Sequence, residues 1–176
     1  MKQGTWSVLL GCHSAFHSML VLIAWVKLYG RLPSWWELVC IFIHDIGHWG
    51  KDYLDDLEQK RRHWELGAKL AKRLFGDKGF LLVAGHDWYS GHPESQLLKP
   101  DKYAFYIAPK WWLFTNLLVE PKIRNNGMGR WEHLNAFRRA VRTKIDAGIY
   151  QSSHDVFMEQ KEMLKSTKEG IVERNI

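Results

Sequence analysis

The chain has 176 residues, 46% of them apolar, which suits one domain with a real buried core. Its two cysteines, Cys12 and Cys40, lie inside apolar stretches and form neither a CxxC pair nor a dense pattern, which excludes a disulfide scaffold and points to a reducing cytoplasm. Of the net charge of +6, +5 gathers at 121–150, where Lys122, Arg124, Arg130, Arg138, Arg139, Arg142 and Lys144 face only Glu132 and Asp146; such an excess would steer phosphate-bearing ligands or nucleic acid, although a solvated basic helix explains it equally well.

Apolar residues recur at helical spacing nearly throughout, so an all-α fold is expected: one compact helical domain over 1–176. No cleavage site follows the apolar N-terminal run, and no leader is expected. The stretch from Ser7 to Tyr29 is long enough to suggest a membrane span. It carries His13, Ser14, His17, Ser18 and Lys27, however, which fit burial in a soluble core better, so no membrane partner is expected.

A first helix is predicted through His13 to Tyr29, stopped by Gly30. Ser34 and Glu37 form a capping-box pattern that opens a second helix, WWELVCIFIHD, ending near Gly47 with His44 and Asp45 in its last turn. The polar run WGKDYLDDLEQKRR reads as a loop or short helix. RHWELGAKLAKRLFG follows as a helix ending at Gly76, and Asp77 is placed to cap the next, KGFLLVAGHDW. Tyr89 to Glu94 is a turn. Pro100 suits the first position of DKYAFYIA, and Pro109 closes that helix. Beyond lie WWLFTNLLV, a linker at Asn125 to Gly129, an amphipathic helix from Trp131 to Ala147, and a further helix from Ser153 onward; these C-terminal helices, at 111–170, are expected to pack on the rest. Paired tryptophans such as Trp35-Trp36 and Trp111-Trp112 suggest an interface or pocket lining, and a homo-oligomer is open.

Several ionisable residues fall on the apolar stripes. His17 shares one with Val21, Ala24 and Leu28; His63 with Gly67, Leu70, Ala71 and Leu74; His86 with Gly79, Leu82 and Val83; Asp101 with Ala104, Phe105 and Ala108. The pair His44-Asp45 ends an apolar helix. A lone inward histidine is ordinarily a hydrogen-bonded core residue. Two buried carboxylates among four imidazoles are tolerable when they share a cation, because an unpaired buried charge costs several kcal/mol.

The run FIHDIGHWG, with the upstream histidine of HSMLVLIAW and the downstream aspartate of LLKPDKYAF, resembles the H…HD…D signature of the HD-domain superfamily over about residues 13–108. His17 fits the first position, with His13 one turn earlier as the alternative. His63 and His86 resemble the extra histidines of HD members that bind two metals. The resemblance implies a ligand set of His17, His44, Asp45, His63, His86 and Asp101, with Asp45 bridging two divalent ions (Mn, Fe, Co, Ni or Mg) about 3.5–4 Å apart. Four neutral histidines and two aspartates would leave such a site near +2, suited to a phosphate oxygen. The implied activity is that of a phosphohydrolase or phosphodiesterase acting on a nucleotide or a cyclic or short oligonucleotide through a metal-activated water, with nucleic acid a weaker candidate partner. Asp45, His48 and Lys102 are the candidate catalytic residues; His92, Lys102, Arg138 and Arg142 are candidate substrate contacts. Two departures stand out: many HD phosphohydrolases have Lys where this chain has His48, and GHDWYSGHP lacks the paired histidines of the HHE…GYP run of cyclic-di-GMP phosphodiesterases. Two alternatives remain at this stage, a mixed-valent di-iron oxygenase cleaving a C–C or C–P bond with the same ligands, and a nucleotide-binding module without turnover.

Overall fold

A computed structural model describes residues 2–51, 61–119 and 129–150. Among these the chain forms eight α-helices and two 3-10 turns, with no strand. They are α1 (Gln3–Leu10), α2 (Ala15–Tyr29), α3 (Trp35–Ile43), the turn Ile46–His48, α4 (Trp64–Phe75), α5 (Asp77–Ala84), the turn Trp88–Ser90, α6 (Leu98–Ile107), α7 (Lys110–Val119) and α8 (Arg130–Asp146). The most extensive packing pairs α2 with α6 and α4 with α5; α3 touches α2, α4 and α5. Val21, Trp25, Ile41, Val83, Leu97 and Leu134 fill the core between them.

The caps follow from local chemistry. Gly30 ends α2 in the left-handed region at φ 64°, a conformation only glycine adopts freely, and its N–H bonds to the Val26 carbonyl at 2.9 Å. At the start of α3, the Glu37 carboxylate accepts from the Ser34 backbone N–H at 2.7 Å and from its hydroxyl at 2.8 Å. The Arg31 guanidinium holds the same carboxylate bidentately at 2.8 Å and, against the opposing effect of burial, lowers its pKa from 4.5 to about 2.

Several boundaries differ from the sequence expectation. An unanticipated short helix, α1, precedes α2, so His13 lies in the turn between them rather than on a helix. α3 stops at Ile43, short of Gly47. His44 keeps helical dihedrals at φ −59° and ψ −39°, and Asp45 leaves them at φ −94° and ψ 5°, so the helix gives way to the turn at Asp45. α5 starts at Asp77 with Gly76 in the cap position, and it ends at Ala84, leaving His86 beyond it. α6 begins at Leu98, which makes Pro100 its third residue, still in the first turn where a missing N–H costs no helical bond. On α4 the buried positions are Gly67, Ala68 and Ala71, whereas Leu74 is exposed. The polar run at 52–60, residues 125–128 of the linker, Lys122, Arg124 and the helix expected from Ser153 lie outside the described residues.

Two glycines let backbone approach backbone. A Cβ on Gly47 would lie 1.6 Å from the His63 carbonyl oxygen, and one on Gly67 would lie 2.7 Å from that of His44. These contacts clamp α4 against the end of α3. Among the described residues no single helix is long and apolar enough to cross a membrane, and the pair Gly4–Leu10 with Ala15–Tyr29, which is apolar enough together, is bent by 57°.

Candidate metal centre

Five of the helices that surround the core, α2 to α6, deliver polar side chains from their faces or ends to a common point. α2 supplies His17; His44 follows the last residue of α3; Asp45 precedes the turn at Ile46–His48; His63 precedes α4; His86 follows α5; and Asp101 lies in the first turn of α6. An acid in that turn also faces the positive end of the helix dipole. His17, His44, Asp45, His86 and Asp101 are all buried.

Asp45 stands at the centre, and its two oxygens face different sets of imidazoles. Oδ2 lies 3.2 Å from His44 Nε2 and 3.6 Å from His17 Nε2. Oδ1 lies 3.5 Å from His63 Nε2 and 3.7 Å from His86 Nε2. Asp101 Oδ1 closes the first set, 2.8 Å from His17 Nε2 and 3.5 Å from His44 Nε2. In the second set His63 Nε2 and His86 Nε2 are 3.1 Å apart. His17, His44, Asp45 and Asp101 form one group able to hold a metal ion, and Asp45, His63 and His86 form another.

The outer nitrogens are anchored. His44 Nδ1–H donates to the Ile41 carbonyl at 2.6 Å, and His86 Nδ1–H donates to the Val83 carbonyl. Both bonds turn Nε2 inward, the arrangement that prepares an imidazole for a cation. His44 Nε2 is buried with no aligned hydrogen-bond partner although two carboxylates face it. A donor set of imidazoles and carboxylates without thiolate fits a divalent ion of intermediate or hard character.

Charge tells the same story. Burial opposes protonation of His44, but the carboxylates of Asp45 and Asp101 prevail and raise its pKa from 6.5 to about 10. Burial likewise disfavours ionised Asp45 and Asp101, yet the charge of His44 holds the first well below the carboxylate range and that of Lys102 the second. Lys102 is itself buried, its Nζ 2.5 Å from Asp101 Oδ2, and Asp101 and then Asp87 raise its pKa against the effect of burial. Without a cation, a proton on His44 supplies the positive charge that the carboxylates require.

His17, His44, Asp45, His63, His86 and Asp101 therefore meet, joined by His48 and Lys102. His13 does not occupy the place of His17. It stacks on His48 with ring centroids 3.5 Å apart, and with His48 and Asp45 it makes a third group able to hold a metal ion. His48 is stacked in turn on His63, 4.6 Å away, and its Nε2 is 3.9 Å from Asp45 Oδ1. The remaining candidates make their contacts elsewhere: His92 packs edge-on against Trp64 and Phe80, the Arg142 guanidinium lies over the Tyr106 ring, and Arg138 is half-buried on the same helix, its pKa lowered by burial and by Arg142. The tryptophan pairs split, with Trp35 and Trp111 exposed and Trp112 buried. Cys40 is a core thiol that burial pushes up to about 11.

Sequence reasoning missed Asp87. It is buried, and its Oδ2 lies 3.3 Å from His63 Nδ1, within ion-pair distance but not aligned as a hydrogen bond. The available signal was its position directly after His86 in GHDW. Ser7 was missed as well: its Oγ is 2.5 Å from His13 Nδ1, a contact that depends on the unanticipated α1. No family model matches the sequence, and no curated protein or solved structure matches it.

Proposed function

We propose that the chain is an HD-type metal-dependent phosphohydrolase, acting on a phosphate ester of a nucleotide or of a cyclic or short oligonucleotide. The observation that carries this reading is Asp45, whose two oxygens each face a separate pair of imidazoles, the placement a carboxylate needs to bridge two cations. His17, His44, Asp45 and Asp101 would hold one ion, and Asp45, His63 and His86 the other. When bound, the ions supply Lewis acidity toward a phosphoryl oxygen and a water activated at neutral pH.

The protein groups have separate tasks. The charges of Asp45 and Asp101, offset before metal arrives by Lys102 and a proton on His44, would hold two cations once that proton leaves, and the loaded site would favour an anion. The carbonyls of Ile41 and Val83 hold His44 and His86, so those donors do not have to reorganise on binding, and Asp87, 3.3 Å from His63 Nδ1, would support the third. Lys102 offsets one of the carboxylate charges and fixes Asp101. To His48, whose Nε2 is 3.9 Å from Asp45 Oδ1, we assign contact with the substrate or its leaving group.

The test is metal analysis of protein purified without chelator, followed by incubation with Mn²⁺ and a panel of nucleotides. About two equivalents of metal and release of phosphate or nucleoside are expected. Metal without turnover of any panel member would overturn the hydrolase; iron with an EPR signal from a half-reduced pair and substrate-dependent oxygen uptake would replace it with the oxidative reaction.

A further inference from the structure

α1 is built inside out. Its polar residues face the protein: Thr5 and Ser7 are buried, Thr5 Oγ1 accepts the Gly50 N–H at 3.1 Å, and Gly4 sits so close to the His48 carbonyl that a Cβ would lie 2.2 Å from its oxygen. Its apolar residues face outward, with Trp6 and Leu9 exposed and Leu10 56% exposed. A surface helix of a water-soluble protein has the opposite arrangement. The outer side of α2 continues the pattern. Met19, Ile23 and Val26, spaced at i, i+4 and i+7, are exposed, Met19 by 52%, while the inner side of the same helix carries His17 to the metal centre. α7 packs on α1, and its Trp111, 60% exposed, meets Phe16 of α2 with ring centroids 5.2 Å apart.

Among the described residues, the exposed charge that α1, α2 and α7 themselves carry has one sign. Residues 1–36 and 102–119 contain no Asp or Glu, and the exposed Lys2, Lys27 and Lys110 stand beside the apolar residues of α1, α2 and α7. Arg31, also in that span, is taken up by Glu37.

We propose that the outer face of α1, α2 and α7 docks on an anionic lipid surface. Tryptophan and aliphatic side chains enter the boundary between headgroups and acyl chains, and the lysines at the rim meet lipid phosphates. The chain lies on the surface and does not span it, since α1 and α2 are bent by 57° and the inner face of α2 is committed to the core and to His17. A second copy docked through the same face would bring lysine against lysine with no acidic residue on these helices to answer them, whereas an anionic bilayer neutralises all three.

The test is co-sedimentation of the full chain with vesicles of phosphatidylcholine alone, or of phosphatidylcholine with an equal share of phosphatidylglycerol. Binding to the mixed vesicles is expected to be at least about tenfold tighter, and to weaken as salt is raised. The double change Met19→Glu with Ile23→Glu should reduce it by about tenfold or more, with the circular dichroism spectrum and unfolding temperature of the parent retained. Lys27→Gln with Lys110→Gln, which leaves the apolar face intact, should remove most of the salt dependence and serves if the first variant fails to fold. Absence of binding to either vesicle would overturn the proposal, as would equal binding by parent and variants. So would a dimer, seen by sedimentation equilibrium without lipid, that Met19→Glu with Ile23→Glu breaks apart.

Discussion

At the scale of single residues, the centre depends on carboxylates whose neighbours decide what they do. Asp87 touches no inward nitrogen of the cluster; it acts through His63, 3.3 Å from Nδ1. Removing its charge should therefore weaken the metal without deleting a ligand. Asp87→Asn is expected to lower metal affinity by about 10- to 100-fold while the fold, followed by circular dichroism, is unchanged; unaltered affinity in a competition titration with a metal-binding dye would show that His63 needs no such support. His44 carries the second prediction. Its metal-free pKa of about 10 means that at pH 7 the imidazole is protonated, and a cation arriving at Nε2 must displace that proton. Metal uptake should then release about one proton from His44, and apparent affinity should rise about tenfold per pH unit as pH increases toward the metal-free pKa. Calorimetric titrations in two buffers of different ionisation enthalpy measure this directly, and identical heats in both would contradict it.

At the scale of elements, the decisive features are places where helices stop. The ends of α3 and α5 deliver His44, Asp45 and His86, and the starts of α4 and α6 deliver His63 and Asp101. Gly47 and Gly67 make this convergence possible, because the His63 and His44 carbonyls occupy the space a side chain would need. Gly47→Ala should force the backbone of His63 away, costing about 1–3 kcal/mol of stability and reducing metal content with it. Urea denaturation together with metal analysis checks both effects; a variant with parental stability and full metal content would show that α4 is not held against the end of α3 in this way. The sequence supported the helices themselves well, since hydrophobic spacing and caps such as Gly30 and Ser34-Glu37 are local. It placed their ends poorly around the site. Whether α3 runs on past Ile43 is settled by α4 packing against it, and that contact joins residues about twenty positions apart in the chain.

At the scale of the whole molecule, the six residues that meet come from α2, the end of α3, the approach to α4, the exit of α5 and the first turn of α6, so bound metal would cross-link five of the helices around the core. Metal should accordingly stabilise the protein as a unit. At a free metal concentration about 100 times Kd, the gain is about 2.7 kcal/mol, which for a chain of this size raises Tm by several degrees and disappears on adding EDTA. Calorimetric scans with and without Mn²⁺ test it, and coincident transitions would mean that the cluster takes up no ion in the folded state. The same scale explains the outward face of α1. The outer residues of α1 and α2 read as one apolar run with its neighbours, and only the packed arrangement separates Trp6, Leu10 and Met19, which face solvent, from Val21 and Trp25, which do not.

Residue spacing alone established the all-helical class and the inward orientation of His17 and Asp101, because both follow from the 3.6-residue period of a helix, whereas His86 lies past the end of α5 and is turned inward by its bond to the Val83 carbonyl. It could not choose between His13 and His17, find Asp87 and Ser7 as supporting partners, or tell that Lys102 is buried while His92, Arg138 and Arg142 make their contacts elsewhere. Those outcomes depend on distances between segments far apart in the chain, and such distances exist only once the helices have packed.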